Sequence, residues 1–262
     1  KAGTPIFPPG GHIGSENTGI GYEALSSSVF SGHGNTAVGH QALKEVAGGT
    51  DNTAVGAWAL QNTNGSNNTA VGAKAGRDMI GGIDNTFLGA DAALFYNTWF
   101  PEGHNTAVGR LSLAGGLGTG QYNTAIGEQA GGTLTTVGNS DRNTFLGTQS
   151  GYSLTAGSNN VFLGYRAGYN EINTSNKLYI ANSETNPPLI YGDFSAGNVG
   201  INTITPAHNL HLAGQGVNNA ELDIQSGSNN YWGIYHDNAT EELRFWNNDA
   251  NPKNVLSLDN NG

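Results

Sequence analysis

The sequence has no cysteine, little charge and no long hydrophobic run, and each of these features excludes a class of protein. Without cysteine in 262 residues, disulfide frameworks and thiolate metal sites are ruled out. No apolar run approaches the roughly 18–20 residues of a membrane-spanning helix, so we expect no membrane span. Only 11% of the residues are charged and the net charge is −10. This disfavours a nucleic-acid partner, which needs clustered lysine and arginine.

The two ends of the chain have no repeat character. Residues 1–16 are rich in proline and glycine and lack the apolar stretch of a signal peptide. We therefore predict that these residues form an extended lead-in or cap. We also expect either that a leader has been removed from the chain or that the protein is exported by another route. The final Asp259-Asn-Asn-Gly is typical of a turn with no strand after it, so we expect the natural chain to continue or to have been cleaved there.

One five-residue motif returns nine times and organises the first part of the chain. Successive copies start 16 to 20 residues apart, Asn52 to Asn68 being the closest and Asn85 to Asn105 among the most distant. The copies are Asn17-Thr-Gly-Ile-Gly, Asn35-Thr-Ala-Val-Gly, Asn52-Thr-Ala-Val-Gly, Asn68-Thr-Ala-Val-Gly, Asn85-Thr-Phe-Leu-Gly, Asn105-Thr-Ala-Val-Gly, Asn123-Thr-Ala-Ile-Gly, Asn143-Thr-Phe-Leu-Gly and Asn160-Val-Phe-Leu-Gly. A period that tolerates small insertions is the signature of a solenoid with insertions in its loops.

The residue types within the motif predict a β-strand rather than a helix. Threonine and valine are β-branched, and the glycine ends the strand by permitting positive φ. Side chains alternate across a strand, so Thr36 and Val38 share one face and Ala37 lies on the other. We predict a second short strand around Gln41-Ala42-Leu43. The whole is then an all-β, parallel β-roll or β-solenoid with coils of about 17 residues.

The recurrent asparagines are predicted to stack in a ladder, each amide bonding to those above and below. This structural ladder comprises Asn35, Asn52, Asn68, Asn85, Asn105, Asn123, Asn143 and Asn160. Each coil buries few large side chains, at about 1.5–3 kcal/mol each, against an ordering cost of about 1–2 kcal/mol per residue. Neighbouring coils and other chains must supply the missing interior, so we expect the protein to oligomerise, and a ring of like chains around a fibre axis would satisfy this expectation.

The period breaks after residue 168, and the remainder predicts separate short strands. They lie at 177–181, 189–194, 199–202, 210–213, 221–225, 231–235, 243–246 and 255–258, several with alternating polar and apolar residues. We predict three parts: the lead-in 1–16, a solenoid head of nine repeats at 17–168, and an irregular β-rich shaft or connector at 169–262.

The repeats resemble the head repeats of trimeric autotransporter adhesins, in which a Ser-Val-Ala-Ile-Gly-like phrase recurs. The later block, with Asn176-Lys-Leu-Tyr-Ile-Ala-Asn, Asn198-Val-Gly-Ile-Asn-Thr and Pro206-Ala-His-Asn-Leu-His-Leu, resembles the shaft of phage-type tail fibres. Both resemblances imply a homotrimeric, extracellular fibre on a bacterial surface or a virion. The self-cleaving chaperone that often ends such fibres has no counterpart in these residues.

Aromatic residues are the best candidates for ligand binding. Phe95, Tyr96, Trp99 and Phe100 lie in a long insertion, and Trp58 lies within a repeat. Exposed aromatic clusters on loops can stack on sugars or seat a partner. The alternative is that the insertion folds back to plug the solenoid or a subunit interface.

Other constellations give weaker signals. The seven histidines are scattered, and no third ligand accompanies His208 and His211, so no metal site or cofactor is predicted. The repeats place Ala, Gln, Thr and Gly where a polysaccharide-cleaving solenoid would need acidic residues. We therefore predict a non-enzymatic fibre for attachment to a surface, with a cell-surface glycan as partner. Two alternatives stay open: a filament subunit that assembles head to tail through residues 1–16 and 254–262, and a β-solenoid hydrolase.

Overall fold

The structure is a computed structural model of the chain, and it describes ten segments. These are residues 16–27, 31–45, 47–94, 103–115, 120–134, 140–214, 220–225, 231–237, 239–247 and 254–258. Within these ranges the protein is all-β, with 17 strands and no helix. The chain divides between Thr185 and Asn186 into two compact units.

The first unit is a parallel β-solenoid in which every repeat contributes one three-residue strand. The strands are β1 (Thr18–Ile20), β2 (Thr36–Val38), β3 (Thr53–Val55), β4 (Thr69–Val71), β5 (Thr86–Leu88), β6 (Thr106–Val108), β7 (Thr124–Ile126), β8 (Thr144–Leu146) and β9 (Val161–Leu163). Each pairs in parallel with the next, and equivalent motif residues lie opposite one another, as in Thr36↔Thr53. A tenth strand, β10 (Lys177–Ile180), continues the stack in the same register.

The second strand predicted around residues 41–43 is wrong: this segment is a turn. Gln41 and Leu43 have φ values of 56° and 49°, and a left-handed residue at every second position is incompatible with an extended strand. The turn is nevertheless bonded to both neighbouring coils. The Gln41 N–H donates to the Tyr22 carbonyl at 2.8 Å, and the Leu43 N–H donates to the Ala59 carbonyl at 3.1 Å. Each coil therefore has one strand and one stacked turn.

The glycine that closes each motif is required by both conformation and space. Gly56 has a φ of +137°, and a Cβ there would lie 2.4 Å from the Gly72 carbonyl oxygen of the next coil. A side chain would clash with neighbouring backbone, which cannot move without breaking the coil stack. The strand consequently ends at the same position in every coil.

The motif asparagines form a buried ladder through the solenoid. Asn52 donates from Nδ2 to the Asn35 Oδ1 at 3.0 Å and to the Gly65 carbonyl at 2.8 Å. Its own Oδ1 accepts the backbone N–H and the Nδ2 of Asn68, both at 3.0 Å. The bond from Nδ2 to the preceding Oδ1 repeats at each of the eight predicted asparagines, Asn35, Asn52, Asn68, Asn85, Asn105, Asn123, Asn143 and Asn160.

Asparagine satisfies this environment because an amide carries two donors and an acceptor oxygen with two lone pairs. All four capacities of Asn52 are used inside a side chain that is 0% exposed. Aspartate has no donor and would place a charge beside the acceptor Oδ1 of Asn35. Asn17 and Lys177 end the ladder: Asn17 Oδ1 accepts the Asn35 N–H at 2.8 Å, and the Lys177 N–H donates to Asn160 Oδ1 at 3.0 Å.

Two of the positions that fill the solenoid interior constrain each other's volume. One is the middle residue of the strand, and the other lies four residues after the motif glycine. Ala37 packs in the same coil as Leu43, whereas Phe145 occurs in the same coil as Gly151, and the three side chains are 0% exposed. A Cβ at Gly151 would lie 2.5 Å from the Phe145 ring. A large residue at one position thus requires a small one at the other.

The second unit contains the remaining seven strands of the described residues. Together with β10 of the first unit, they account for every strand predicted after residue 168, with shifts of one or two residues at the ends. The strands of the second unit are β11 (Ile190–Asp193), β12 (Asn198–Ile201), β13 (Leu210–Leu212), β14 (Ala220–Gln225), β15 (Tyr231–Asp237), β16 (Glu242–Asn247) and β17 (Asn254–Leu258). Strand β11 is antiparallel to β12, and β12 is parallel to β13. Strands β14 to β17 form an antiparallel meander.

The meander has one apolar and one polar face. Leu222 pairs with Ile234, which pairs with Phe245, so these residues share a face. On the opposite face, Arg244 lies against Asp237 and donates to Glu242 at 2.8–2.9 Å. The alternation agrees with the polar and apolar pattern of the sequence.

Replacing one ladder residue should destabilise the solenoid in a way that depends on pH. We expect Asn52→Asp to be strongly destabilising at pH 7 and less so at pH 3, because a buried carboxyl has a raised pKa and is tolerated in its protonated form. The variant should therefore lose stability as the pH rises above about 3.9, the pKa of an aspartate carboxyl in the unfolded chain. The measurement is urea unfolding of variant and wild type at both pH values.

Asn52→Ala is the matched control. It leaves Asn68 and Gly65 partners unsatisfied and should cost roughly 2–5 kcal/mol, with little pH dependence relative to wild type. If Asn52→Asp lost the same free energy of unfolding at both pH values, the ladder side chains could not be buried as described.

The volume compensation predicts a rescue between two core positions. Gly151→Ala should destabilise the protein by about 2–4 kcal/mol, since it combines a φ of +60° with overlap against the Phe145 ring. Adding Phe145→Leu should recover part of that loss, because the shorter side chain vacates the space. A double-mutant cycle by urea unfolding measures the coupling, and strictly additive costs would refute the packing argument.

Candidate functional site

The outer face of the solenoid sheet carries a row of threonines and a row of branched aliphatic side chains. The middle residue of each strand points inward, so the first and third residues point outward. Several of the aliphatic residues are substantially exposed: Ile20 (58%), Val55 (37%), Leu88 (47%), Ile126 (40%) and Leu146 (48%). A continuous apolar row of this kind on a folded surface is typical of an interaction site.

A second feature is an aromatic stack at the start of the solenoid. Tyr22 and His40 occupy equivalent positions after the motif glycines of consecutive coils, and their rings stack at 5.4 Å with 16° between the planes. Trp58 in the next coil meets His40 edge-on at 5.1 Å. Tyr22 is 66% exposed, whereas Trp58 is half-buried. The stack therefore presents Tyr22 rather than Trp58 to solvent.

A chain of polar contacts lies beside this stack. The Trp58 indole N–H donates to Gln41 Oε1 at 2.8 Å, and Gln61 Nε2 donates to the same oxygen at 3.1 Å. Gln41 Nε2 in turn donates to Glu23 Oε2 at 2.6 Å. Because both bonds to Oε1 come from donors, the orientation of the Gln41 amide is fixed. Trp58 thus positions Gln41.

The charge at Glu23 is stabilised by its donors. Lys44 Nζ lies 2.9 Å from Glu23 Oε2, and the hydrogen bonds from Lys44, then Gln41, then Tyr22 lower the pKa of Glu23 to about 2. The same contacts act on the partners: the bond to Glu23 raises the pKa of Lys44 and that of Tyr22. The carboxylate is therefore ionised, and the ammonium protonated, throughout the neutral range.

We call the surface formed by Tyr22, Glu23, Gln41 and Lys44 the aromatic corner. Among the residues predicted to bind a ligand, Trp58 is described by the structure and lies beside the aromatic corner. Phe95, Tyr96, Trp99 and Phe100 lie outside the described residues. The sequence analysis did not identify Tyr22. A signal was present, because Tyr22 and His40 are 18 residues apart, the same spacing as Asn17 and Asn35. Alignment of the repeats therefore places the two rings at equivalent positions of successive coils.

Two further stacks occur along the solenoid. His104 and Tyr122 are parallel at 4.8 Å with 1° between their planes. Tyr152 and Tyr169 stack at 5.3 Å, with the Arg166 guanidinium 5.0 Å from the Tyr169 ring centre. Equivalent positions of successive coils lie about 4.8 Å apart, which suits ring stacking. Stacked aromatics are thus a general consequence of the coil spacing.

The described residues show no arrangement that would hold a metal ion or cross a membrane. They contain no group of three or more His, Asp or Glu side chains placed for metal coordination, and no helix of theirs could span a bilayer. A shallow depression in the second unit, lined by residues including Asn186, Asn202 and Thr205, holds no titratable side chain.

Comparison of the chain with protein-family models, with characterised proteins and with solved structures gave no match. The resemblance to adhesin heads and tail-fibre shafts thus remains a prediction from the repeats.

The electrostatics of the aromatic corner predict a clear change when the lysine is removed. In Lys44→Met, the pKa of Glu23 should rise from about 2 towards its ordinary value of 4.5, because its strongest donor is lost. In wild type the ion pair should be intact above pH 4.5 and be lost as pH falls towards 2. Carboxyl carbon shifts followed by NMR titration provide the measurement. An unchanged Glu23 titration in the variant would show that Lys44 does not hold this carboxylate.

Proposed function

We propose that the protein is a non-enzymatic, homotrimeric fibre that attaches its owner to a surface. The observation that carries this proposal is the exposed aliphatic row on the outer sheet face, which includes Ile20, Leu88 and Leu146 at 58%, 47% and 48% exposure. Exposure of such a row to water is unfavourable, and covering it with another surface stabilises the protein. The solenoid repeats the row from coil to coil, so its partner must be equally long and regular.

A sister copy is the partner that meets this requirement most simply. Its own outer face has the same repeat and the same apolar composition, and no charged side chain occurs at the outward strand positions from Thr18 to Leu163. Homomeric assemblies are usually closed by rotational symmetry. The resemblance to trimeric adhesin heads favours three copies around one axis over two.

The thin interior supports the same conclusion. A coil buries its strand's middle residue and a few residues of the stacked turn, most of them small, as in Ala54, Ala59 and Leu60. In coils such as that of Phe145 and Gly151, one of the turn positions contributes no side chain. This burial offsets little of the entropy lost on ordering about 17 residues. Covering the outer face would add one aliphatic residue per coil to the buried surface.

Attachment follows from what a repetitive trimer displays. Identical exposed surfaces on three copies allow several weak contacts to act together, which raises the apparent affinity without any strong single site. An exposed aromatic side chain such as Tyr22, at 66% exposure, suits stacking on a sugar, and a trimer presents three copies of it. A glycan on a cell surface is therefore the proposed target, and an extracellular location on a bacterial surface or a virion is part of the proposal.

The mass of the protein in solution tests this assembly. Sedimentation equilibrium of the wild type should give three times the 27.1 kDa of the chain. Leu88→Glu should weaken or abolish the trimer, because it places a charge in the covered row. Tyr122→Glu is the matched control, an equally exposed residue outside that row, and should leave the mass unchanged. A monomeric wild type, or a Leu88→Glu variant of unaltered mass at every concentration, would contradict the proposal.

A further inference from the structure

We propose that the aromatic corner binds a neutral saccharide, with the pyranose ring stacked on Tyr22 and its hydroxyl groups bonded to Glu23, Gln41 and Lys44. This inference rests on the proposed function, since it assigns the place of attachment and the chemical class of the ligand. It goes beyond that function in naming one site at the first coil of the solenoid.

The Tyr22 ring has one face available for stacking. Its other face is covered by His40 at 5.4 Å with nearly parallel planes, and Tyr22 belongs to the first of the nine repeats. The residue is still 66% exposed, more than Tyr122 or Tyr165. An open aromatic face backed by a second ring is a rigid apolar platform, and the C–H face of a pyranose packs well on such a surface.

The polar groups beside the ring supply both kinds of hydrogen bond that a sugar needs. The Glu23 carboxylate has about four acceptor positions. Gln41 and Lys44 both bond to Oε2, at 2.6 and 2.9 Å, and Tyr22 also bonds to the carboxylate, so three bonds leave acceptor capacity for a ligand. Gln41 has a second amide hydrogen and Lys44 has further ammonium hydrogens to donate. Hydroxyl groups both donate and accept, so a polyol fits this mixture of groups.

The charges favour a neutral ligand over an acidic one. Lys44 is paired with Glu23 at 2.9 Å and lies 3.8 Å from Glu45, so its positive charge is already balanced. The chain as a whole carries a net charge of −10, which repels acidic polysaccharides at long range. A neutral hexose or N-acetylhexosamine needs no unpaired positive charge for binding and is not repelled by the net negative charge.

The corner is also preorganised. Gln41 is held by Trp58 and Gln61 on its oxygen and by Glu23 on its nitrogen. Ordering of these side chains therefore precedes ligand binding, which lowers the entropic cost of association. Trp58, one of the two tryptophans predicted from the sequence to bind a ligand, acts here as a positioning residue behind Gln41.

Saturation-transfer NMR on the full chain tests the inference. The probes are the methyl glycosides of glucose, galactose, mannose and N-acetylglucosamine, each at millimolar concentration, with dissociation constants from titration. We expect transfer from the protein to at least one probe. Tyr22→Ala should weaken its binding about tenfold or more, as loss of an aromatic stack implies, and Glu23→Gln should also weaken it. Tyr122→Ala, the matched control at 50% exposure, should bind as wild type does.

Each outcome decides the inference. Transfer to no probe in the wild type, or binding that survives Tyr22→Ala and Glu23→Gln unchanged, would overturn it. Unaltered thermal melting of the variants shows that loss of binding is local. The mass of the same samples separates the two proposals: a trimer that binds none of the probes refutes the aromatic corner alone, whereas a monomer refutes the fibre.

Discussion

Stacking of buried side-chain amides is the interaction on which the rest of this structure depends. Each ladder asparagine bonds to its counterparts in both neighbouring coils, as Asn52 does to Asn35 and Asn68 at 3.0 Å. An amide that failed to align would leave several buried donors and acceptors unpaired at once. The ladder therefore fixes where each strand begins. Insertions such as those between Asn85 and Asn105 can lengthen a coil only outside the strand and its stacked turn.

The ladder also decides which surfaces the protein presents. With the strand start fixed, alternation sends Ala54 inward and Thr53 and Val55 outward. The inward positions close a narrow core whose volumes compensate, as in Phe145 and Gly151. The outward positions produce the aliphatic row that the proposed trimer would cover. The same coil spacing brings Tyr22 onto His40, so the assembly surface and the proposed saccharide site have a common origin.

Much of the fold could be predicted from the sequence because every copy of the motif carries the same residues that determine its conformation. The β-branched strand residues, the closing glycine and the asparagine column were all visible in single copies. The turn at residues 41–43 was mispredicted, since Gln, Ala and Leu are all compatible with a strand and only the structure reveals left-handed φ at Gln41 and Leu43. The aromatic corner was missed for another reason: Glu23, Gln41 and Lys44 converge across two coils, and no local pattern marks that contact.

Hydrogen exchange of the asparagine side-chain amides tests the central claim most directly. The Nδ2 protons of Asn52, Asn68, Asn105 and Asn123 are bonded in the interior, at 0% exposure, so their exchange requires the coils to open. We predict exchange slower by orders of magnitude than that of the exposed Asn67. Exchange of the ladder protons at the rate of Asn67 would show that the coils are not held by these amides, and would contradict the account.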